Sequence, residues 1–586
     1  MKKAIPICFL LACCHTLALA QSEPFTLSVI NTKPAGTAND YRLAHPYEVI
    51  YARDNHLYIT EKVGRVVRVD PETGLRQIIL DHRANTYLNI SRDGSGAATG
   101  IGQDGMMGMA MHPNFGLGTG QDSIFIAYTR TAGNVRISRF RYNGGATPSL
   151  TGETVLVQGI PANNDHSSGR LIVGGDNKLY YTCGDLGYNQ FSNKCSEIRS
   201  QTLPTAAEIS ANNFADYAGK VLRINMNGSI PSDNPLWAGV RSHIYTIGHR
   251  NPQGLVWQKY PSNGSAYPIM VPGGKLFSDE HGPRTDDEIN IIQGGRNYGW
   301  PYIAGYLDDI NYQYVNWSSS PSCSSTPYQE TTIPAGATVD DESDHSSLAN
   351  FQPPLTTMYK DCGSLPSTTC NANGSDWMRF ATIAPSSIDF YHVDAGLGIP
   401  GWYPSLLVPT LRRGTLYRYK LNLTLDSVIT DSIPYFHTQN RYRDIAMSPD
   451  GKKIYIVTDS IGSTSGPSGG GTSSLANRGA ILEYTFTGTD LMSKDDPSHP
   501  DYVHKKYRVS VFPNPATQFI TVQFERGLHK PIYYKLTDAS GKLVVDDHTS
   551  RDEFNIMVGH LPKGVYMLRL YNGYRIEVRL EKIIIQ

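Results

Sequence analysis

The chain has 586 residues, long enough for two folded units, and contains 55 glycines, 36 prolines and 36 tyrosines but only 18% charged residues. This turn-rich and aromatic-rich composition favours a β protein and excludes a mainly helical or disordered chain. The 52 basic and 53 acidic residues give a formal net charge of −1. There is therefore no basic excess of the kind that binds nucleic acid or an anionic membrane surface.

The first 20 residues have the pattern of a cleaved secretory signal peptide. Two lysines precede an apolar run over residues 5–19, and the small-residue pattern Ala18-Leu19-Ala20 stands before Gln21. This order is typical of secretory signals, and the run is too short for a membrane anchor. A lipoprotein signal ending at Cys13 or Cys14 is the less favoured alternative. The sequence therefore predicts an exported protein.

Five cysteines remain after the predicted signal peptide, and in an oxidising compartment some of them are expected to pair. Cys362 with Cys370 would close a short loop, and Cys183 with Cys195 is a second candidate pair. The odd number leaves at least one thiol over, and the spacing is not that of a metal site.

Between residues 25 and 486 one pattern recurs: a polar loop, an apolar strand, a tight turn with Asp or Asn, and an aromatic-rich second strand. Residues 170–173, the turn at 176–177 and residues 179–182 are one example. Repeated hairpins are typical of stacked propeller blades, because each blade buries its faces against its neighbours. The sequence therefore predicts an all-β fold with a β-propeller, while a pair of β-sandwiches or a β-helix fits less well.

The most informative stretch is the hairpin that includes residues 164–185. His166 precedes its first strand and Asp185 follows its second strand, so the two side chains should lie together at one rim of a sheet. An imidazole held by a carboxylate in one tautomer is a suitable general base for a substrate hydroxyl. The alternative is an ordinary polar turn with a solvated histidine.

Four further stretches place special residues in loops. Gln103 lies just before a methionine-rich strand, and residues 248–254 expose an arginine and two amides. Residues 279–290 combine carboxylates with a Gly-Pro turn, which suits a hard cation such as calcium. Arg441 and Arg443 alternate on a strand and project the same way. Each stretch alone could be solvated surface, but together they indicate one site for an anionic ligand and a metal.

The composition changes after residue 487. Residues 489–506 are a polar linker, and residues 507–586 form a small β unit, predicted to be a β-sandwich. The Pro-Asn-Pro at 513–515, the Gly-Val-Tyr at 564–566 and the terminal Lys-Ile-Ile at 582–584 closely resemble the C-terminal sorting domain of the type IX secretion system. The resemblance implies passage through the periplasm and export to the cell surface or medium by that machinery. The alternative is an independent carbohydrate-binding or fibronectin-like module.

Residues 21–488 resemble the soluble quinoprotein glucose dehydrogenase family. The resemblance is carried, in order along the chain, by Asp165-His166, Gly184-Asp185, the Gly-His-Arg-Asn-Pro-Gln-Gly at 248–254, the Asp-Asp-Glu-Ile-Asn at 286–290, the Asn-Tyr-Gly-Trp-Pro at 297–301, the Ala-Pro-Ser-Ser at 384–387 and the Asn-Arg-Tyr-Arg-Asp at 440–444. It implies a six-bladed β-propeller that uses pyrroloquinoline quinone (PQQ) and calcium (Ca2+).

By this resemblance, His166 is the base that takes the proton of the anomeric hydroxyl while hydride passes from the sugar to the quinone. Asp185 orients the imidazole of His166, and Arg250 polarises the quinone carbonyl. The residues implied to hold PQQ are Arg250, Asn251, Trp377, Thr382, Arg412, Arg441 and Arg443. The residues implied to contact the sugar are Gln103, Asp165 and Gln190. The carbonyls of Gly282 and Pro283 are implied to bind one calcium, and Glu288, the carbonyls of Tyr298 and Ala304, and Glu342 a second, structural calcium.

Several positions depart from the family pattern. Arg412 stands where lysine is common, and His281 stands where glutamine can occur. Trp377 and Phe380 stand where tyrosine and tryptophan are found. These changes leave the reaction class intact and bear on substrate preference, as do the long insertions at 202–216 and 318–354.

The resemblance therefore implies a secreted, PQQ- and calcium-dependent aldose (glucose-type) dehydrogenase of the EC 1.1.5 class, which makes lactones and passes electrons to an external acceptor. A calcium-dependent propeller lactonase or hydrolase is one alternative, and a non-catalytic glycan-binding propeller is another. The physiological sugar, the acceptor and the choice between a monomer and a homodimer stay open.

Overall fold

The computed structural model describes residues 23–30, 42–92, 98–260, 267–283, 285–309, 312–329, 332–358, 382–393, 398–429, 432–461, 475–488, 509–524, 532–539, 542–571 and 577–586. The predicted signal peptide, the predicted linker and Trp377, Phe380, Cys362 and Cys370 lie outside these residues. Across the described ranges, no helix has the length and apolar character needed to cross a membrane.

The described part of residues 25–486 contains six four-stranded antiparallel sheets, here numbered I to VI. The first strand, β1, spans Phe25–Ile30. Sheet I consists of β2 (Pro46–Tyr51), β3 (Leu57–Glu61), β4 (Arg65–Val69) and β5 (Arg76–Asp81). The hairpin of β6 (Ile90–Arg92) and β7 (Ala98–Ile101) leads to sheet II, with β8 (Met106–Met111), β9 (Ser123–Thr131), β10 (Asn134–Asn143) and β11 (Ser149–Pro161).

Sheets III and IV each carry an inserted hairpin. Sheet III consists of β12 (Leu171–Val173), β13 (Lys178–Cys183), β14 (Lys220–Asn225) and, after the hairpin β15 (Leu236–Trp237) and β16 (Val240–Arg241), β17 (Ile244–Ile247). Sheet IV consists of β18 (Pro252–Trp257), β19 (Leu276–Glu280), β20 (Asp287–Ile292) and, after the hairpin β21 (Tyr314–Asn316) and β22 (Thr338–Asp340), β23 (Thr356–Met358).

The last two sheets complete this unit. Sheet V consists of β24 (Asp389–Tyr391), β25 (Ser405–Pro409), β26 (Leu416–Lys420) and β27 (Ile433–Tyr435). Sheet VI consists of β28 (Tyr442–Met447), β29 (Lys453–Thr458) and β30 (Ile481–Phe486), with β1 as its outer strand. The helices in the described residues are short: α1 (Ala206–Ser210) and the 3-10 turns Arg83–Asn85, Phe191–Asn193, Ala215–Tyr217, Trp317–Ser319 and Glu342–His345.

The six sheets form a closed ring. Strand β2 touches β8, β8 touches β12, β12 touches β18 and β18 touches β24, while β25 touches β28 and β28 touches β2. The first and last strands of residues 25–486 meet in sheet VI, where β1 pairs with β30 from Phe25 opposite Phe486 to Ile30 opposite Ile481. This pairing closes the ring. This is a β-propeller, so the predicted all-β class and propeller architecture are confirmed.

The inner strands approach each other so closely that side chains would not fit at two positions. A Cβ atom on Gly108 of β8 would lie 2.3 Å from the carbonyl oxygen of Gly169, at the start of sheet III. A Cβ atom on Gly254 of β18 would lie 2.6 Å from the backbone nitrogen of Ile388, next to sheet V. Glycine is therefore required where neighbouring blades converge on the axis.

Arg170 fills the axis of the ring. It is 1% exposed, and its Nε and Nη2 donate to the carbonyl oxygens of Gln253 (2.9 Å) and Ser386 (3.0 Å). Its Nη1 lies 2.7 Å from Glu48 Oε2 and 3.2 Å from Asp444 Oδ2. Arg170 directly precedes the first strand of sheet III. Its guanidinium therefore connects sheet III with residues at or beside the inner strands of sheets I, IV, V and VI.

The disulfide pairing differs from the sequence-based candidates. Cys195 is bonded to Cys323 in the insertion of sheet IV, across 128 residues of sequence. Cys183, the predicted partner of Cys195, is a buried free thiol on β13, and burial raises its pKa to about 12. The prediction considered partners close in sequence, whereas folding brings the loop after β13 against the hairpin of sheet IV.

The strands after residue 508 form two further sheets. One sheet consists of β31 (Val509–Phe512), β32 (Phe519–Phe524) and β35 (Glu553–Met557), and the other of β34 (Leu543–Thr549), β33 (Ile532–Asp538), β36 (Gly564–Tyr571) and β37 (Glu577–Ile585). Ile520 and Val522 of the first sheet share one core with Leu536 and Leu568 of the second. Two sheets around one core form a sandwich, as predicted.

Candidate active site

The hairpin of β12 and β13 brings His166 and Asp185 together. Leu171 pairs with Tyr181 in this hairpin, so the residues flanking its open end lie side by side. His166 Nδ1 is 2.7 Å from Asp185 Oδ1, and the two residues are 6% and 1% exposed. A buried imidazole with a carboxylate on Nδ1 is fixed in orientation, and its Nε2 is the nitrogen left to accept a proton.

Two further donors fix the carboxylate of Asp185. The indole Nε1–H of Trp300 donates to Oδ2 at 2.8 Å, and the backbone N–H of Gly187 donates to Oδ1 at 2.9 Å. Gly187 has a φ of 64°, and a Cβ atom on it would lie 2.7 Å from an oxygen of Asp165, so only glycine fits here. The orientation of the histidine thus rests on residues from sheets III and IV.

The three residues expected to contact a sugar form one hydrogen-bonded group beside His166. The side-chain amides of Gln103 and Gln190 both donate to Asp165, each at 2.8 Å. The amide nitrogen of Gln190 also lies 3.2 Å from His166 Nε2. Gln190 and Asp165 thus lie beside the nitrogen that is free to accept a proton, and Gln103 holds Asp165 from the other side of the group.

Arg250 lies on the other side of Gln190. Its Nη2 donates to Gln190 Oε1 and its Nη1 to the carbonyl oxygen of His281, both at 3.3 Å. The guanidinium lies over the ring of Trp300, with 5.3 Å between Cζ and the ring centroid. The carbonyl of Arg250 also accepts a hydrogen bond from the backbone of Asp185. A permanent charge is thus held beside the His166–Asp185 pair.

Asn251 and His281 border the same region. Asn251 Oδ1 accepts hydrogen bonds from Ser168 Oγ (3.0 Å) and Gln253 Nε2 (2.8 Å). His281 Nε2 lies 2.6 Å from the carbonyl oxygen of Pro385. Burial and the nearby charge of Arg250 lower the pKa of His281 to about 3, so this imidazole is neutral.

Three cations cluster where β28 begins. Arg441 and Arg443 both donate to Asp459, with distances of 2.9 to 3.0 Å. Burial would raise the pKa of Asp459, but the two arginines outweigh it and lower the value to about 2. Burial and the nearby charge of Arg443 lower the pKa of Lys62 to about 8. The local excess of positive charge suits an anionic ligand.

Two further expected cofactor residues, Arg412 and Thr382, lie next to each other. Arg412 Nη1 donates to the carbonyl oxygen of Thr382 at 3.3 Å, and Thr382 Oγ1 donates to Asp287 at 2.7 Å. Trp377 is outside the described residues. Lys62 and Asp459 were not predicted, because an isolated lysine and an aspartate after a strand carry no signal in the sequence.

Residues expected to bind two different calcium ions, all except Glu342, line one small cavity. Gly282, Pro283, Glu288, Tyr298 and Ala304 line it, together with Glu280, a carboxylate of the 279–290 stretch that was not among the expected ligands. Glu280 and Glu288 are directly opposite each other on β19 and β20. Burial and the charge of Glu280 raise the pKa of Glu288 well above its usual value.

Glu342 lies behind this cavity. Its carboxylate accepts hydrogen bonds from the backbone N–H groups of Ala304 and Asp309, both at 2.9 Å. Among the described residues, no group of three or more His, Cys, Asp and Glu side chains has a metal-binding arrangement. Backbone carbonyl groups would therefore have to supply several ligands of a cation held here.

The chain is similar to known proteins in both of its units. Residues 43–339 match the glucose/sorbosone dehydrogenase family, and residues 510–586 match the secretion system C-terminal sorting domain. The chain is 36% identical to quinoprotein glucose dehydrogenase B of Acinetobacter calcoaceticus over 485 residues, which are 80% of this chain and 92% of that protein.

Two more distant proteins are also similar. Aldose sugar dehydrogenase YliI of Escherichia coli (strain K12) is 25% identical over 427 residues, 71% of this chain and 88% of its own. The PQQ-bound aldose sugar dehydrogenase of Streptomyces coelicolor has a TM-score of 0.47 and 21% identity, over 80% of this chain and 99% of its own.

Proposed function

Because the chain belongs to the glucose/sorbosone dehydrogenase family, we propose that it is a PQQ- and calcium-dependent aldose dehydrogenase that oxidises the C1 hydroxyl of glucose-like sugars to lactones. The observation that supports this most is the buried His166–Asp185 pair, 2.7 Å apart, with the guanidinium of Arg250 beside it. This arrangement provides a proton acceptor and a fixed positive charge at one point.

The chain's own residues would divide the work as follows. His166 Nε2 takes the proton of the C1 hydroxyl, and Asp185 stabilises the charge that the imidazole gains. Gln103, Asp165 and Gln190 hold the other hydroxyl groups of the sugar, since their amides and carboxylate already surround His166 Nε2. PQQ, when bound, would accept the hydride from C1. Arg250 would stabilise negative charge at a carbonyl group of the cofactor.

The cationic cluster fits PQQ, which carries carboxylate groups. Arg441 and Arg443 both bond Asp459, and Lys62 lies within the electrostatic reach of Arg443, so positive charge is concentrated here for an anionic molecule. Arg412, Asn251 and Thr382 would hold the rest of the cofactor. A lactonase or a hydrolase would not need a site for an anionic cofactor, and the dehydrogenase is therefore favoured.

The cavity beside Glu288 fits a hard cation. Two buried carboxylates of like charge, Glu280 and Glu288, face each other there, and the backbone of Tyr298 and Ala304 lines the same space. A divalent cation would offset their repulsion, and oxygen ligands suit calcium. Gly282 and Pro283 would contribute carbonyl groups toward the quinone side, and Glu342 would support Ala304 from behind.

Export is supported by the C-terminal unit, because its match to the sorting domain points to the type IX secretion machinery. We propose that residues 1–20 are removed as a signal peptide on entry to the periplasm and that residues 21–488 and 507–586 are separate domains. The electrons would leave through an external acceptor.

Reconstitution of the mature chain tests the function. The apoprotein is mixed with PQQ and calcium and assayed for bleaching of an electron-acceptor dye across a panel of aldoses. Bleaching that requires sugar, PQQ and calcium together is expected. PQQ binding without bleaching by any aldose would contradict the proposed substrate class, and absence of PQQ binding would contradict the quinoprotein function.

A further inference from the structure

A cavity of about 310 Å³ occupies the axis of the propeller, away from the candidate active site. All six sheets contribute to its wall through their innermost strands, which are β2, β8, β12, β18, β24 and β28. The volume lies at the lower end of the range of about 300–1,000 Å³ that is usual for small-molecule sites. Neither the expected catalytic residues nor the expected cofactor residues line this cavity.

The cavity and the candidate active site lie at opposite ends of these strands. The residues expected to hold substrate and cofactor come before the strands, with His166 before β12, Asn251 before β18 and Arg441 before β28. The cavity extends instead beyond the far end of β12, to the turn at residues 174–177. Arg170 and its two carboxylate partners form the inner end of the cavity. The axial ion cluster therefore separates the two sites.

The wall of the cavity is largely apolar. Met109 and Met111 come from the methionine-rich strand β8, and Met270 and Met447 line the cavity as well. Trp257 adds an aromatic ring whose indole N–H already donates to a backbone carbonyl group. Methionine side chains are flexible and adapt to the shape of an apolar ligand. The wall therefore suits a hydrocarbon body.

The open end of the cavity carries an excess of positive charge. Arg53 follows β2 at this end, and its guanidinium lies over the ring of Tyr267, with 4.7 Å between Cζ and the ring centroid. Within the described ranges, no carboxylate forms an ion pair with Arg53. Lys259, at the same end, is paired with Asp389. Arg53 is therefore available to an anionic group.

His392 adds a buried polar group that lacks a partner. It follows β24, lines the cavity and is 2% exposed. Its Nε2 has no hydrogen-bond partner in the described structure, and burial lowers its pKa to about 4, so the imidazole is neutral. A buried nitrogen without a partner costs free energy, which a hydrogen bond to a ligand would recover.

We propose that this axial cavity binds a small amphipathic monocarboxylate, such as a medium-chain fatty acid. The hydrocarbon chain lies along the methionine wall, and the carboxylate lies at the open end with Arg53 and His392. The reverse orientation is unfavourable, because Glu48 and Asp444 already place two carboxylates against one guanidinium at the inner end. This site goes beyond the proposed function and does not depend on it.

Calorimetry with sodium decanoate tests the site in the full chain, with and without PQQ and calcium. Decanoate should bind saturably and roughly tenfold more tightly than octanoate, since two further CH₂ groups are buried. PQQ should not displace it, because the cofactor is expected at the other end of the strands. Absence of saturable binding, equal affinity for the two acids, or displacement by PQQ would overturn the inference. If PQQ does not bind, the proposed function fails, while the decanoate result still decides this site.

The charge at the open end is tested by Arg53→Gln. This variant should bind decanoate roughly three- to tenfold more weakly than the wild type, while 1-decanol, which lacks the charge, should bind both proteins equally. The matched control is Arg139→Gln, which changes an exposed arginine that does not line the cavity. It should bind decanoate as the wild type does. Equal decanoate affinity in Arg53→Gln and the wild type would overturn the inference.

Tryptophan fluorescence locates the bound hydrocarbon chain. Decanoate should change the emission of the wild type, because Trp257 lines the cavity. The change should be lost in Trp257→Phe and kept in Trp237→Phe, since Trp237 does not line the cavity. An unaltered fluorescence change in Trp257→Phe would place the ligand elsewhere and overturn the inference.

Discussion

Trp300 donates its indole N–H to Asp185 Oδ2 at 2.8 Å, on the oxygen that His166 does not contact. The same ring lies under the guanidinium of Arg250. One side chain from the loop after β20 therefore supports both the carboxylate that orients the histidine and the arginine beside it.

Replacing Trp300 by phenylalanine should test this support. The ring under Arg250 remains, but Asp185 loses one of its hydrogen bonds, and a bond to a charged group contributes about 1.5–3 kcal/mol. We expect kcat with glucose to fall at least roughly tenfold while PQQ affinity changes little. Trp237→Phe is the matched control, since the Nε1 of this buried tryptophan has no hydrogen-bond partner in the described structure. A Trp300→Phe variant with wild-type kcat would contradict a positioning role.

Removing Arg170 should destabilise the propeller. In Arg170→Met, Glu48 and Asp444 stay buried without their cation, and breaking a buried ion pair in this way costs about 3–5 kcal/mol. Urea unfolding at neutral pH should show that loss. The exposed Arg139 provides the control, because Arg139→Met should change the free energy of unfolding by less than about 0.5 kcal/mol. Equal stability of the two variants would show that Arg170 does not hold the axis.

The acid stability of the apoprotein should depend on Asp459. Burial raises its pKa, but the two arginines lower it by more, so the folded value is about 2, below the usual 3.8. A carboxylate with a lowered pKa contributes stability that is present above about pH 4 and lost as the pH falls through about 2. The free-energy difference between wild type and Asp459→Asn, from urea unfolding, should therefore shrink by about 2 kcal/mol between pH 5 and pH 2. A difference that does not change with pH would contradict the ion pairing.

Calcium should stabilise the propeller through Glu288. At a free concentration 100 times its dissociation constant, a ligand bound only by the folded state adds about 2.7 kcal/mol. We expect the thermal midpoint of the wild type to rise with calcium and that of Glu288→Gln to respond far less. The control is Glu197→Gln, which changes an exposed carboxylate that does not line the cavity. A full calcium response in Glu288→Gln would place the cation elsewhere.

The sequence predicts the parts of this structure that depend on local order. His166 and Asp185 could be paired because a hairpin brings its open ends together, and the recurring hairpins predict the propeller. Lys62 and Asp459 could not be assigned to the site, and the contact of Trp300 with Asp185 could not be foreseen, since each depends on blades from distant parts of the chain having packed. The Cys195–Cys323 disulfide was missed for the same reason. Arg170 lies within the hairpin that includes residues 164–185, but its position on the axis depends on all the neighbouring sheets.

The proton-accepting role of His166 is tested most directly by His166→Gln in the full chain reconstituted with PQQ and calcium. Glutamine keeps a polar side chain of similar size but cannot take the proton at neutral pH, and a general base contributes roughly 10²–10⁴-fold. The rate of dye bleaching with glucose should fall by at least roughly 10²-fold. The affinity for PQQ, measured separately, should stay within about threefold of the wild-type value. Wild-type turnover in His166→Gln would contradict the assignment of His166 as the base.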